Sequence, residues 1–206
     1  MISGVDRGRR SALAAVLAAL MLAMAAISSG AETAPAAQWG VEQLMQRLAQ
    51  VKSAKAAFVE RKHLRVLTAP LESSGTLVYT APGYLEKHTL APKPESLVLD
   101  KDTLTFEDRT RNRRRTLRLQ EFPGLWAFVE GLRSTLAGNL QELNRIYRVS
   151  LDGGETDWRL TLEPRDPGIQ RMVSQIRLAG GGASIRSIEV LEAEGDRSVM
   201  TLTELK

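Results

Sequence analysis

The chain has no cysteine among its 206 residues. That excludes a disulfide framework and the lipidation of a cysteine, and it removes the thiolate from the list of nucleophiles. Histidine is nearly as scarce, with only His63 and His88 present, and no serine stands in a Gly-x-Ser-x-Gly setting. Two histidines without a clustered third ligand make a poor metal site. Both read as solvent-facing strand residues, His63 among Arg61, Lys62 and Arg65, and His88 directly after Lys87. Asp100, Asp102, Glu107 and Asp108 are close in sequence, but they occupy turn positions that favour aspartate locally, so they read as turns rather than as a calcium loop. An enzymatic reading therefore has little to stand on: no catalytic residue, metal or cofactor is implied. Internal repeats and low-complexity linkers are also absent.

What is present starts with an export signal. Arg7, Arg9 and Arg10 precede an unbroken apolar run from Ala12 to Ile27, followed by Ser28-Ser29-Gly30-Ala31. This pattern predicts a signal peptide over 1–31, cleaved after Ala31, and a periplasmic mature chain over 32–206. A membrane anchor is the weaker reading, because a span needs roughly 20 apolar residues. The mature chain of about 175 residues suits one domain with a sizeable core. Removing the leader's three Arg and one Asp lowers the formal charge from +4 to +2, a balance that names no partner.

Apolar spacing then separates helices from strands. Val41, Leu44, Leu48 and Val51 recur at intervals of three and four, predicting an amphipathic helix over 39–52. Phe58, Leu64 and Val66 share one parity in a long strand over 55–67. From Ser73 to Phe106, short runs of Leu, Val, Tyr and Thr are separated by Pro-Gly, Pro-Lys-Pro and Asp-Lys-Asp turns, the pattern of an antiparallel meander. Leu77 and Tyr79 alternate with Thr76, Val78 and Thr80, so each strand has one strongly apolar face. After Glu121-Phe122-Pro123-Gly124, helical spacing resumes at Leu125, Phe128, Val129, Leu132 and Leu136, ending at an Ala137-Gly138 cap. Five further strands follow, over 147–152, 158–163, 174–179, 184–193 and 197–205, around a Pro-flanked excursion over 164–172. The sum is about ten strands and two or three helices. A sheet that large tends to curl or close.

One charge cluster stands out, six arginines in the ten residues from Arg109 to Arg118. It could grip phosphates of a nucleic acid or of lipid headgroups. Export, near charge balance and the lack of aromatics between the arginines argue against nucleic acid. A solvated hairpin is one reading; docking of an anionic headgroup or acidic partner through Arg111, Arg113, Arg114 and Arg115 is the other.

Several motifs in order carry a resemblance: Gly75-x-Leu77-x-Tyr79-x-x-Pro82, Leu97-Val98-Leu99-Asp100 with Leu104 following, Leu136-Ala137-Gly138-Asn139, and Ile185 with Ile188-x-Val190-x-Glu192 leading to Gly195-Asp196-Arg197-Ser198. Across the whole mature chain the sequence resembles the periplasmic outer-membrane lipoprotein carriers, the LolA family, and in particular a LolA-related branch. The resemblance implies an α+β fold: an incomplete antiparallel barrel whose concave apolar face is covered by helices acting as a lid. It implies a non-catalytic carrier that shields acyl chains of a lipoprotein or another lipid between the membranes. The lipid-binding cavity would be lined by Leu77, Tyr79, Leu97, Leu99, Leu104 and Phe106 from the sheet, with Leu44 and Leu48 of the first helix and Leu125, Phe128, Val129 and Leu132 of the second. Its partners would be an acylated cargo, an inner-membrane exporter as donor and an outer-membrane acceptor, with no nucleic acid and the chain acting as a monomer. One departure bears on mechanism. Those carriers place an arginine before the proline that ends the early strand, where it helps hold the lid closed, whereas Ala81 precedes Pro82 here. The competing reading is an envelope accessory protein with a filled core that docks on a membrane-protein partner.

Overall fold

Runs of β-formers punctuated by Pro, Gly and Asp turns fold, in a computed structural model that describes residues 39–205, into one antiparallel sheet of eleven strands. Helix α1 (Val41–Leu48) precedes a six-stranded meander: β1 (Ser53–His63), β2 (Leu71–Thr80), β3 (Tyr84–Ala91), β4 (Glu95–Asp100), β5 (Thr103–Asp108) and β6 (Arg113–Arg118). A turn of 3-10 helix leads into α2 (Pro123–Leu136) and α3 (Leu140–Ile146). The second meander is β7 (Tyr147–Gly153), β8 (Trp158–Pro164), the single-turn α4 (Pro167–Gln170), β9 (Val173–Gly181), β10 (Ser184–Glu192) and β11 (Arg197–Glu204). The predicted signal peptide lies outside the described residues.

The two meanders meet where the first strand pairs with the last. β1 and β11 run antiparallel with Phe58 opposite Leu202 and Glu60 opposite Met200, giving the order β6-β5-β4-β3-β2-β1-β11-β10-β9-β8-β7. Strands β6 and β7, consecutive in the chain, therefore occupy opposite edges. The sheet is open, an incomplete barrel, and the link between those edges must cross its whole width. That link is α2 with α3. At about 1.5 Å per residue the 14-residue α2 is roughly 21 Å long.

Two apolar clusters hold this crossover in place. One joins Leu44, Met45 and Leu48 of α1, Ala127 of α2, Leu143 and Ile146 of α3 and the buried faces of β7, β8 and β9. The other joins Leu99, Leu104 and Leu119 to Val129 of α2. Trp126 and Phe128 pack against both. Ala127 and Gly131, one turn apart on α2, make a groove for Tyr147, whose hydroxyl donates to the Ala127 carbonyl at 2.5 Å. A Cβ on Gly131 would lie 3.0 Å from the Tyr147 ring, so a side chain there would push the ring back by a few tenths of an ångström. Burial pushes the Tyr147 phenol well above its ordinary range.

Several expectations differ in detail. The sheet has eleven strands rather than about ten; the Arg-rich run itself forms β6, because pairing uses backbone groups alone and leaves the arginines exposed. Helix α1 stops at Leu48 instead of running to Lys52, with Ala49 capping it, and β1 stops at His63. Leu64 and Val66 fall in the loop to β2, where the Leu67 amide bonds the Leu64 carbonyl and closes a turn. Helix α3 was not expected. Gly138, at φ +68°, ends α2 as predicted, but the next residue starts a new helix: the Asn139 side chain accepts from the Glu142 amide at 3.1 Å. The Pro-flanked excursion is the single turn α4, capped by the Asp166 carboxylate on the Gly168 and Ile169 amides.

Candidate functional site

Because α2 rests on both ends of a curled sheet, the middle strands beneath it are left partly uncovered. The space is a cavity of about 900 Å³, near the upper end of the roughly 300–1,000 Å³ of small-molecule sites. Its floor is the concave face of the central strands. Leu77, Tyr79, Leu85, Leu97, Leu99 and Leu104 line one half, and Ile188, Val190, Met200 and Leu202 the other. The roof is Leu125, Phe128, Val129 and Leu132 of α2, with Leu48 and Val51 at the end of α1.

Of the twelve residues expected to line a lipid cavity, the structure places ten on this wall. Leu44 is elsewhere: with Met45 it is buried in the α1–α3 cluster, since the helix turns that stripe toward β7–β9. Phe106 sits opposite Leu97 on β5 but outside the wall, partly exposed. The contribution of β10 and β11 was missed. Their strands were legible, but their place beside β1 depends on pairing between the two ends of the chain. Tyr79 has a further property: it is 4% exposed and its hydroxyl has no hydrogen-bond partner among the described residues. Burial raises its pKa.

At one end the floor turns polar. Glu60 of β1, 6% exposed, accepts from Lys87 Nζ at 2.5 Å, from the Ser198 hydroxyl at 2.7 Å and from the Ser73 hydroxyl at 3.3 Å, with Lys62 Nζ at 3.7 Å. Lys87 also lies 4.9 Å from the centre of the Phe58 ring. Burial alone would raise the Glu60 pKa, but the hydrogen bond and charge of Lys87, with Ser198 and Lys62, outweigh it and hold the pKa below its ordinary 4.5. A carboxylate with a depressed pKa stabilises the fold above that ordinary value and loses the contribution as pH falls through the folded one. Glu60→Gln is therefore expected to lower stability by about 1–3 kcal/mol at pH 7, and the gap should close as pH drops below 4.5. Thermal unfolding of both proteins between pH 7 and 3 checks this; parallel curves would refute it.

A family model described as outer membrane lipoprotein carrier protein LolA-like matches residues 33–204. The chain belongs to this LolA-like family. No curated protein matches it. Among solved structures, it is similar to a LolA superfamily protein from Nitrosomonas europaea, with 11% identity and a TM-score of 0.44 over 82% of this chain and 94% of that one. It is also similar to a putative outer membrane lipoprotein-sorting protein domain from Vibrio parahaemolyticus, with 10% identity and a TM-score of 0.45 over 81% and 91% of the two chains. A chain of the Pseudomonas aeruginosa MucA/MucB complex gives 14% identity and a TM-score of 0.46, over 81% of this chain and 56% of that one.

This LolA-like chain has Ala81 before Pro82, and α2 itself carries an arginine that ties it to the strand turns. Arg133, on the last turn of α2 and only 19% exposed, donates to the Lys101 carbonyl at the β4–β5 turn and lies 3.9 Å from Asp102 and 3.4 Å from Glu130. Its aliphatic stem packs on Gly83 in the β2–β3 turn, where a Cβ would come within 2.6 Å. Sequence reasoning missed this residue, because an arginine in the last turn of a helix ordinarily answers the helix dipole in solvent.

The remaining expected residues are on the outside. Arg111 is at the tip of the β5–β6 hairpin, and Arg113, Arg114 and Arg115 lie on β6, an edge strand of the sheet. Arg114 pairs with Glu107 at 3.3 Å and Arg111 approaches Asp108 at 3.9 Å, while Arg113 and Arg115 have no ion-pair partner among the described residues. His63 is exposed at the end of β1; His88 meets Glu86 at 2.6 Å, and the Glu86 carboxylate also takes a bond from Tyr84. Among the described residues no cluster of three His, Asp or Glu could hold a metal, and no helix is long and apolar enough to cross a membrane.

Proposed function

We propose that the protein is a periplasmic carrier that shields the acyl chains of a lipoprotein or other lipid during transfer from the inner to the outer membrane. The observation that supports it is the apolar cavity between α2 and the central strands. Exposing an acyl chain of about 15 carbons to water costs on the order of 10 kcal/mol at about 0.8 kcal/mol per methylene. A shuttle must supply nearly that much burial and still release its load. The aliphatic wall gives the burial, and a lid held by few polar ties gives the release, by exchanging packing on itself for packing on cargo. No bond is made or broken, and no cofactor takes part. The carrier acts as a monomer, receives cargo from an inner-membrane exporter, passes it to an outer-membrane acceptor and does not engage nucleic acid. The arginines of β6 suit docking to an acidic surface of one of these partners.

The test is native mass spectrometry of the protein purified from its own periplasm, followed by organic extraction and lipid analysis. A stoichiometric acylated species is expected. A bare protein that also fails to take up offered lipids would favour the accessory that docks on an envelope partner.

Arg133 gives a second check. Replacing it by Gln is expected to lower the stability of the empty protein by about 1–2 kcal/mol and to speed fatty-acid uptake in stopped-flow fluorescence. Unchanged uptake would show that its ties do not hold the lid.

A further inference from the structure

The polar end of the cavity floor is not explained by stability. β1 lies in the middle of the sheet, so inward charges there do not guard an edge. A largely buried ion pair is commonly no more stabilising than the apolar residues that could replace it. Yet Glu60, Lys62 and Lys87 line the cavity together, on the same floor as the leucines.

The hydrogen-bond capacity of the cluster has a sign. A carboxylate only accepts, and the two Glu60 oxygens already face Lys87, Ser198, Ser73 and Lys62. Each ammonium carries three donors, and among the described residues the only polar partner of Lys87 and of Lys62 is Glu60. The unused capacity is therefore all donor, and the three charges sum to +1. The Lys62 side chain is half exposed and that of Lys87 24% exposed, so both can be reached from the cavity. Farther out, Asp196 accepts the Arg65 amide at 2.9 Å, Arg197 is held by Glu189 at 2.5 Å and Glu86 is bonded to Tyr84 and His88, while Lys55, Glu192 and Glu204 stand exposed along the rim; within the Glu60 cluster itself the lysines are the open groups.

We propose that Lys62 and Lys87, oriented by Glu60, form a headgroup site for the anionic oxygens of an amphiphile, a carboxylate or a phosphate, whose hydrocarbon lies along the apolar floor toward Tyr79. The six steps along β2 from Ser73, opposite Glu60, to Tyr79 span about 20 Å at about 3.3 Å per residue, a length that suits a long acyl chain. This deepens the carrier reading and rests on it.

The experiment is displacement of a fluorescent fatty acid from the purified protein by three palmitoyl amphiphiles: palmitate, palmitoyl lysophosphatidate and uncharged monopalmitin. The two anions are expected to bind about tenfold or more tightly than monopalmitin, with a preference that weakens in high salt. Their order separates a free fatty acid from a phosphate-bearing lipid as the source of the headgroup. Lys62→Gln, at a half-exposed position, should reduce the preference several-fold and Lys62→Arg restore it. Equal binding of all three in the wild-type protein would overturn the headgroup site and leave the carrier reading standing. Failure of all three to bind would remove the carrier reading itself, and the headgroup site with it.

Discussion

Replacing Leu85 with glutamate is expected to weaken binding of a fluorescent long-chain fatty acid about 100-fold, a loss of about 3 kcal/mol. Leu85 lines the cavity from β3, between Tyr79 on β2 and Leu99 on β4, with no cation opposite it. An acyl chain laid on this wall would strip water from the new carboxylate without supplying a partner. The empty protein should tolerate the change better than cargo does, because Leu85 is only partly buried and an empty cavity can hydrate the charge. Leu85→Met, similar in volume and apolar, should leave binding nearly intact. The same glutamate at Leu97 is expected to be milder, since Lys87 stands directly opposite on β3. Titrations of the four proteins, each shown to be folded by circular dichroism, check the order. Wild-type affinity in folded Leu85→Glu would count against this face as the acyl site.

The largest effect on stability is expected from Trp158→Ala, about 3–5 kcal/mol, which at roughly 2–4 °C per kcal/mol lowers the melting temperature by about 10 °C. Trp158 is 1% exposed at the start of β8. Its ring lies against Gly180 of β9, and its indole N–H donates to the Gly182 carbonyl at 3.0 Å. Truncation would open a cavity in the cluster that supports α1, α2 and α3. Trp158→Phe keeps most of the volume but loses the hydrogen bond and should cost about half as much. Trp158 is not on the cavity wall, so the folded fraction of either variant should still bind fatty acid. A melting temperature within 2–4 °C of wild type for the alanine variant would refute this account of the core.

Much of the local structure was legible because it is written in short-range terms. Alternation of Leu77 and Tyr79 with Thr76 and Thr80 needs only the two-residue period of a strand, and Leu125, Phe128, Val129 and Leu132 need only the helical period. Both patterns gave faces that the structure places on the cavity wall. Where local signals overlapped, reading failed. Gly138 ends α2 and Asn139 caps α3 in adjacent positions, and a single stop signal concealed the start behind it. Leu44 and Leu48 lie on one stripe of α1, yet one faces the buried cluster alone and the other also reaches the cavity. Spacing cannot distinguish them, because it records which side of a helix is apolar and not what that side meets.

By itself the sequence determined most of the strands, the two main helices, the lack of any thiol, and an apolar face too extensive for its own strands to cover. Each follows from the composition and spacing of neighbouring residues. Only the tertiary structure decided that β1 pairs with β11, with Phe58 opposite Leu202. That pairing sends β6 and β7 to opposite edges, so the helical link between them must cross the concave face as a roof. It also assembles Glu60, Lys62, Ser73, Lys87 and Ser198 from four strands into one polar end of the cavity. Contacts such as that of Glu60 with Ser198, 138 positions apart, leave no periodic trace in the chain. They arise only when the whole sheet closes its two halves around the crossover helix.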